Sequence, residues 1–344
     1  MISILQLHFR YEQRKGFVRQ TMKKLALFII GIILIFNCSA QEPSNETEVK
    51  KPVAVQLDRT PAALGISQKT RDAVKAMANP PVNLALFAVD RRQDGDKANS
   101  DVIMVISVDQ QSGKIKMSSI MRDTYVNIPG HGMDKINAAY ALGGPQLAIK
   151  TINRNFDLDI KDYVNVDFYS AAKIVDALGG VEVNVKQPEL SYLNNYLNEV
   201  AIYEKVPAVP VKNAGLQTLS GRQAVAYTRI RGVGNGDYER TERQRSVLVA
   251  LFNKMKASGP DLFPVFASQV LPNLETSMAP MSLMTFGSGI LSSKSKVIDQ
   301  ARFPLDGASA GKRINNIWYL TADLKATTTS IHNFIYKNIK PIGK

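Results

Sequence analysis

Between Arg229 and Arg245 the chain reads R-I-R-G-V-G-N-G-D-Y-E-R-T-E-R-Q-R, with five arginines in a short stretch. Guanidinium groups at this density repel one another unless they face water or share an anion, and their planar forks match phosphate oxygens. The residues that follow set their orientation. Helical spacing over Arg240–Ala257 puts Val247, Leu248, Leu251 and Met255 on one apolar stripe. Stepping back along that stripe gives Gln244, Arg243 and Arg240. A solvated basic face would lie opposite the stripe instead. The helix is therefore expected to turn a cationic N-terminal end inward, and a helix N-terminus already favours anions. Arg245 falls off the stripe and reads as surface charge.

A second set lies in the first half of the chain. Asp90 ends one expected strand (Val82–Val89) and Asp101 precedes the next (Val102–Val108). Antiparallel pairing puts both carboxylates at one edge of the sheet. A third strand, Lys114–Ile120, returns to that edge and delivers Arg122 followed by Asp123. Two aspartates beside an arginine suit a Mg²⁺ ion bound to phosphate oxygens; ordinary loop aspartates are the competing reading. Gly232, Gly234 and Gly236 make a flexible turn into the arginine-bearing helix, and such a turn before a helix N-terminus suits a phosphate. Asp237 reads as a cap or a working carboxylate, and Lys135 as an anion contact or a surface lysine. Arg229 and Arg231 point to one side if their stretch is extended and diverge if the preceding helix continues. No pair among His8, His131 and His332 has metal-binding spacing, and no G-x-S-x-G nucleophile turn occurs.

These groups need a scaffold. Pro145–Phe156 has a helix start signal; Tyr163–Phe168, Tyr169–Leu178 and Val181–Val185 read as strand, helix and strand, a β-α-β unit that makes the sheet mixed. Gln187–Val211 carries Pro188, Pro207 and Pro210 without a clear period and reads as an irregular insertion, either a place for acceptor or polymer preference or plain loop padding. Ser220 and Gln223 form a capping box for a short helix. A helix is expected over Asp72–Ala78 and another near Thr328–Ile339. No linker divides residues 80–340, so the fold class is α/β, one domain with helices covering a mixed central sheet, preceded by a polar tether and lead-in over 41–79.

Composition fixes the class. The 344 residues are 45% hydrophobic and 21% charged, as in a globular protein. The formal net charge of +13 suits nucleic acid, anionic lipid or a polyphosphate-like substrate. Residues 1–40 read as a leader: Lys23-Lys24 precede an apolar run from Leu25 to Phe36 that is short for a membrane span but right for a signal peptide. Cleavage after Ala40, lipidation at Cys38 and an uncleaved anchor all remain open, and residues before Met22 read as a cytoplasmic extension or an early start. With Cys38 as the only cysteine, no disulfide forms within the chain. Export places the domain outside the cytoplasm and argues against nucleic acid as partner.

Several ordered blocks resemble the LytR-CpsA-Psr family: Ser100-Asp101, Ile120-Met121-Arg122-Asp123-Thr124, Lys135-Ile136-Asn137-Ala138-Ala139-Tyr140, Asp176-Ala177-Leu178-Gly179-Gly180-Val181, Leu219-Ser220-Gly221 through Arg231, and then Asp237, Arg240 and Arg243-Gln244-Arg245. The resemblance covers residues 82–257 strongly and extends to the C-terminus. It implies a three-layer α/β/α domain on the outer face of the bacterial membrane. Such a domain transfers a phosphoglycan, teichoic acid or capsular polysaccharide, from undecaprenyl diphosphate to peptidoglycan. It also implies Mg²⁺ on Asp90 and Asp101, with Arg122, Lys135, Arg229, Arg231 and Gln244 gripping pyrophosphate, supported by Arg240 and Arg243. Asp101 and Asp237 are the candidate general bases. Met121 stands where the family usually has proline before the arginine. A polyprenyl-phosphate binder or envelope-sensing module could use the same pocket without catalysis, and the family's older label of transcriptional regulator conflicts with the leader.

Overall fold

Successive side chains of a strand face opposite ways, and both faces of the run beginning at Val82 are apolar: Ala85, Phe87 and Val89 enter one core while Leu84 enters another. Such a strand needs cover on both sides. A computed structural model describes residues 53–89, 97–109, 111–291 and 297–341. The expected leader and Asp90 lie outside the described residues.

The elements run β1 (Val53–Ala54), α1 (Gln68–Lys75), β2 (Val82–Val89), β3 (Ser100–Val108), β4 (Ile115–Ile120), β5 (Tyr125–Ile128), β6 (Gly132–Lys135), α2 (Ala138–Phe156), β7 (Asp162–Asp167) and α3 (Phe168–Ala177). There follow β8 (Val181–Val185), α4 (Leu190–Glu204), β9 (Gly215–Leu219), α5 (Gly221–Arg229), α6 (Asp237–Ser258), β10 (Glu275–Thr276), α7 (Pro280–Leu291), β11 (Asp299–Phe303), β12 (Ser309–Ile314), β13 (Ile317–Ala322) and α8 (Leu324–Lys337).

Among the described residues the central sheet has seven strands in the order β1-β10-β7-β2-β3-β4-β11. The pairs β2–β3 and β3–β4 are antiparallel, whereas β2–β7 and β4–β11 are parallel, so the sheet is mixed. On one face Phe87, Ile103 and Val105 meet Ile149, Ile152 and Phe156 of α2 and Ile331 and Phe334 of α8. On the other, Met104, Ile106 and Met117 meet Leu283 and Phe286 of α7, with Leu248 and Phe252 of α6 at the margin. This is the three-layer α/β/α domain.

Three expectations change. Val181–Val185 is a strand but not part of the central sheet: it pairs antiparallel with β9. Its residues alternate buried and exposed, with Glu182 and Asn184 in solvent; only one face is apolar, which a strand inside a two-sided sheet cannot accept. The β-α-β unit read from that stretch is therefore not formed within the sheet. The stretch Gln187–Val211 is not irregular. It holds α4, whose Leu193, Leu197 and Ala201 are buried at four-residue spacing, and the prolines sit beyond its ends. The lead-in is also folded: β1 pairs with β10, Leu64 and Ile66 enter the core, and α1, capped by Ser67, begins four residues before the expected Asp72. Isolated apolar anchors of this kind carry no period for a sequence to display.

Pro145 does mark a helix start, but of the second part of α2. Gly143 and Gly144 leave helical geometry, with φ of −151° and 62°, and interrupt the helix just before the proline.

Candidate active site

The site lies where β3 enters the sheet and β4 leaves it. Ala88 pairs with Val102 but Val89 pairs with Ser100, so Asp101 is an extra residue in β3, a bulge. Bulges re-aim a side chain without ending the strand pairing around them. Here the carboxylate of Asp101 meets the guanidinium of Arg122, two residues past the end of β4, in a close ion pair. Asp101 and Arg122 thus stand at one edge, as the meander predicts, with Asp90 outside the described residues.

Five further side chains close on this pair. Arg122 Nε lies 3.5 Å from Asp237 and 3.4 Å from Asp123. Arg240 Nε lies 3.0 Å from Asp237, and its fork is 3.9 Å from Asp101. Arg231 reaches Asp101 at 3.9 Å and Asp237 at 4.0 Å, and Lys135 Nζ holds Asp123 at 2.7 Å. Four cations thus face three carboxylates, leaving an excess positive charge at the N-terminus of α6. An anion is the missing partner for such an arrangement.

The inward turn of α6 is as its spacing predicts: Arg240, Thr241, Arg243, Gln244 and Val247 are its buried residues. Burial lowers the Arg240 guanidinium to about 10, against the pull of Asp237, with Arg122 adding repulsion. Burial also works against charge on Arg122, but Asp237, Asp101 and Asp123 outweigh it and raise that group. Arg231, half exposed, is the cation of the group most open to a ligand.

Other expected contacts lie elsewhere. Arg243 is buried, but its Nε meets Glu189 at 2.8 Å, its Nη2 meets Glu239 at 3.1 Å, and its Nη1 donates to the carbonyl of Ile230 at 3.0 Å. Its fork is filled by the protein, making it a brace between α6 and the turn before α4. Arg229 ends α5 and diverges from Arg231, the outcome of a helix that continues to that point. It lies over the rings of Phe168 and Tyr196, 5.7 and 5.3 Å from their centroids, and 3.6 Å from Glu199. There it lines a cavity of about 360 Å³ with Tyr169, Tyr203 and Val225. Gln244 keeps its place on the buried face beside Arg240. Arg245 is not simple surface charge: it is half-buried, its Nη1 has no hydrogen-bond partner, and burial lowers its guanidinium.

Sequence reading missed Asp123 as the link from Arg122 to Lys135, and Glu189 as the partner of Arg243. Asp123 could have been found from its place beside Arg122. Glu189 gave no signal, because only the fold brings it to α6.

The sequence model of the LytR_cpsA_psr family matches residues 39–333. The chain belongs to the LytR_cpsA_psr family. Among its relatives is the "Polyisoprenyl-teichoic acid--peptidoglycan teichoic acid transferase TagU" of Bacillus licheniformis, 32% identical over 308 residues, which are 89% of this chain and 93% of that protein. Among solved structures the fold is similar to TagT bound to LI-WTA, with a TM-score of 0.62 and 26% identity over 82% of this chain and 99% of the other. It is also similar to the family protein YwtF (TagT) with bound octaprenyl pyrophosphate lipid, with a TM-score of 0.59 and 25% identity over the same shares.

Proposed function

We propose that this protein transfers a phosphoglycan from a polyprenyl diphosphate carrier, undecaprenyl in the host membrane, to a hydroxyl of peptidoglycan on the outer face of the cell. The observation that carries this reading is the convergence of Arg122, Arg231 and Arg240 on one edge of the sheet at a helix N-terminus. The relative named as a teichoic acid transferase and the fold neighbour with a bound polyprenyl pyrophosphate supply the substrate class.

Phosphoryl transfer asks a protein chiefly to position the reactants and to balance charge. The acceptor oxygen forms a bond to the sugar-proximal phosphorus while the bond from that phosphorus to the bridging oxygen breaks. Polyprenyl phosphate leaves and a phosphodiester remains. Arg122 and Arg240, already fixed by Asp101 and Asp237, face the charge gathering on the non-bridging and leaving oxygens without having to reorganise. Arg231 and Lys135 stand at the open side to hold the entering diphosphate, and Gln244 lies one turn after Arg240 on the buried face of α6. The acceptor proton passes to one of the two carboxylates facing the arginines, Asp101 or Asp237.

Mg²⁺ belongs to the proposal through its donors. Asp101 and Asp237 offer hard carboxylate oxygens within one charged group, the chemistry this ion takes. Asp101, with Asp90, would hold it. Mg²⁺ keeps several waters and substrate oxygens in its shell, so it asks the protein for only one or two carboxylates. When bound, it supplies charge to the phosphate oxygens.

The test is cleavage of a polyprenyl diphosphate sugar by purified protein, with Asp101→Asn and Arg122→Ala beside the parent. Turnover that neither substitution lowers would exclude this site. Tight binding of the lipid with no turnover in the parent would favour the carrier reading.

A further inference from the structure

The β12–β13 hairpin carries the chain's only tryptophan, Trp318, and leaves it 40% exposed, next to Ile317 at 51%. The turn between the strands is two residues, Asn315 and Asn316, both with positive φ (49° and 64°). A turn of this kind matches strand twist and makes a tight, firm tip. Lys312 and Arg313 stand exposed just before it, and no acidic residue occurs from Gly307 to Ala322. Arg313 Nη1 donates to the carbonyl of Asn316, keeping that charge at the tip. A Cβ on Gly311 would come within 3.0 Å of the Trp318 indole nitrogen, so the glycine lets the indole lie across the neighbouring strand.

The hairpin is bound to the candidate active site. Leu320 N–H donates to the carbonyl of Asp123 at 2.9 Å, and Thr124 pairs with Leu320. Tyr319 packs on Tyr125 with ring centroids 4.7 Å apart, and Lys135 Nζ lies 5.8 Å from the Tyr319 ring. From Leu320 to the tip is three residues of strand, about 10 Å. On the neighbouring β6, Met133 adds a third exposed apolar side chain (47%).

Scattered exposed apolar residues are ordinary. A projecting tip that combines adjacent Trp and Ile, two cations and no acid is not. Tryptophan prefers the membrane–water interface, and lysine and arginine beside it attract anionic headgroups. The turn's two asparagine amides would serve a sugar as well, but the exposed aliphatic carbon and paired cations beside them are what an anionic lipid surface recognises. We infer that the β12–β13 hairpin docks on an anionic lipid surface, inserting Ile317 and Trp318 and holding the Asp101–Arg122 edge at the headgroup level. This rests on the lipid-linked substrate proposed above for its purpose, but hairpin contact is measured without turnover.

Trp318 is its own reporter. The whole chain is reconstituted in vesicles with and without phosphatidylglycerol, and Trp318 emission and its quenching by brominated acyl chains are recorded. The local signal is independent of whatever else anchors the chain. The expected result is a blue shift and quenching on the anionic vesicles. The Lys312→Glu/Arg313→Glu protein keeps the reporter but loses two cations worth ~1 kcal/mol each at such a surface. Its ratio of inserted to free tip falls about 30-fold or more. Ile317→Ser weakens quenching without changing charge. Solvent-like, unquenched emission on every vesicle overturns the inference, as does a shift produced only by soluble peptidoglycan fragments. Turnover of a detergent-dispersed substrate, read in parallel, keeps the two proposals apart. Quenching with no turnover leaves the hairpin contact standing and sinks the transferase, whereas turnover with no quenching sinks the hairpin alone.

Discussion

Glu189→Ala tests whether Arg243 braces the fold or holds the substrate. Glu189 is 1% exposed and Arg243 4%. The carboxylate accepts from Arg243 Nε and from the Lys186 backbone N–H, both at 2.8 Å, and burial together with its charge pushes the nearby Tyr227 hydroxyl up to about 12. Removing one member of a buried pair costs ~3–5 kcal/mol, because the other is left charged and uncompensated. Glu239 remains on Arg243 at 3.1 Å but is partly exposed, so the lower end, ~3 kcal/mol, applies. At this chain size that lowers Tm by about 6 °C. Replacing both by apolar residues, Glu189→Leu with Arg243→Met, removes the stranded charge and restores most of the loss. The assay is thermal unfolding by circular dichroism, with turnover measured well below Tm. The single variants should unfold early yet keep turnover within a few-fold per folded molecule. If Arg243→Met leaves Tm unchanged and abolishes turnover, its guanidinium holds the substrate's pyrophosphate and the brace described above is wrong.

Other outcomes are equally specific. Arg122→Ala removes a pre-organised cation and leaves Asp101, Asp123 and Asp237 facing one another; kcat should fall about 10²–10³-fold, measured with Tm to show the chain still folds. Gly221→Ala would set a Cβ 1.9 Å from the carbonyl oxygen of Ala172, forcing α5 off α3 at a cost of ~1–3 kcal/mol in urea unfolding; a neutral result would mean the helices slide freely. Burial lowers the Lys116 ammonium from 10.5 to about 8, so the folded chain releases this proton before the unfolded chain does. The penalty of the buried charge is fully present below pH 8, and stability rises as pH climbs from about 8 toward 10.5. Lys116→Met should flatten that rise in Tm, and an unchanged slope would assign it to other groups. Chelation with EDTA should lower turnover, and Mg²⁺ should restore it in the parent but not in Asp101→Asn.

Much of the site was legible because the signals were local. The meander placed Asp101 and Arg122 at one edge, since antiparallel strands with short turns leave little freedom. The apolar stripe of α6 turned Arg240, Arg243 and Gln244 inward, since helical period is a one-dimensional property. Periodicity says which side chains share a face, but not what stands opposite. Hence Arg243 turned inward as expected and met Glu189 rather than the site, and Arg229 followed α5 away toward Phe168 and Tyr196. The same limit hid the edge strand β1 and the separate β8–β9 ribbon: strands can be read from alternation, but their partners are chosen by the whole fold. Helix α4 was obscured because its flanking prolines dominated a short apolar stripe of three residues at four-residue spacing.

The bulge at Asp101 has a further meaning. The strand carries one residue more than its partner needs, so deleting Asp101 would close the ladder rather than break it. Ser100 and Val102 would become neighbours opposite Val89 and Ala88, pairings that exist already. The sheet, both cores and the arginine-bearing helix would survive such a loss, while the carboxylate that orients Arg122 would be gone. On the proposed mechanism, one codon would then separate a transferase from a silent lipid binder, and the fold alone would not tell them from each other.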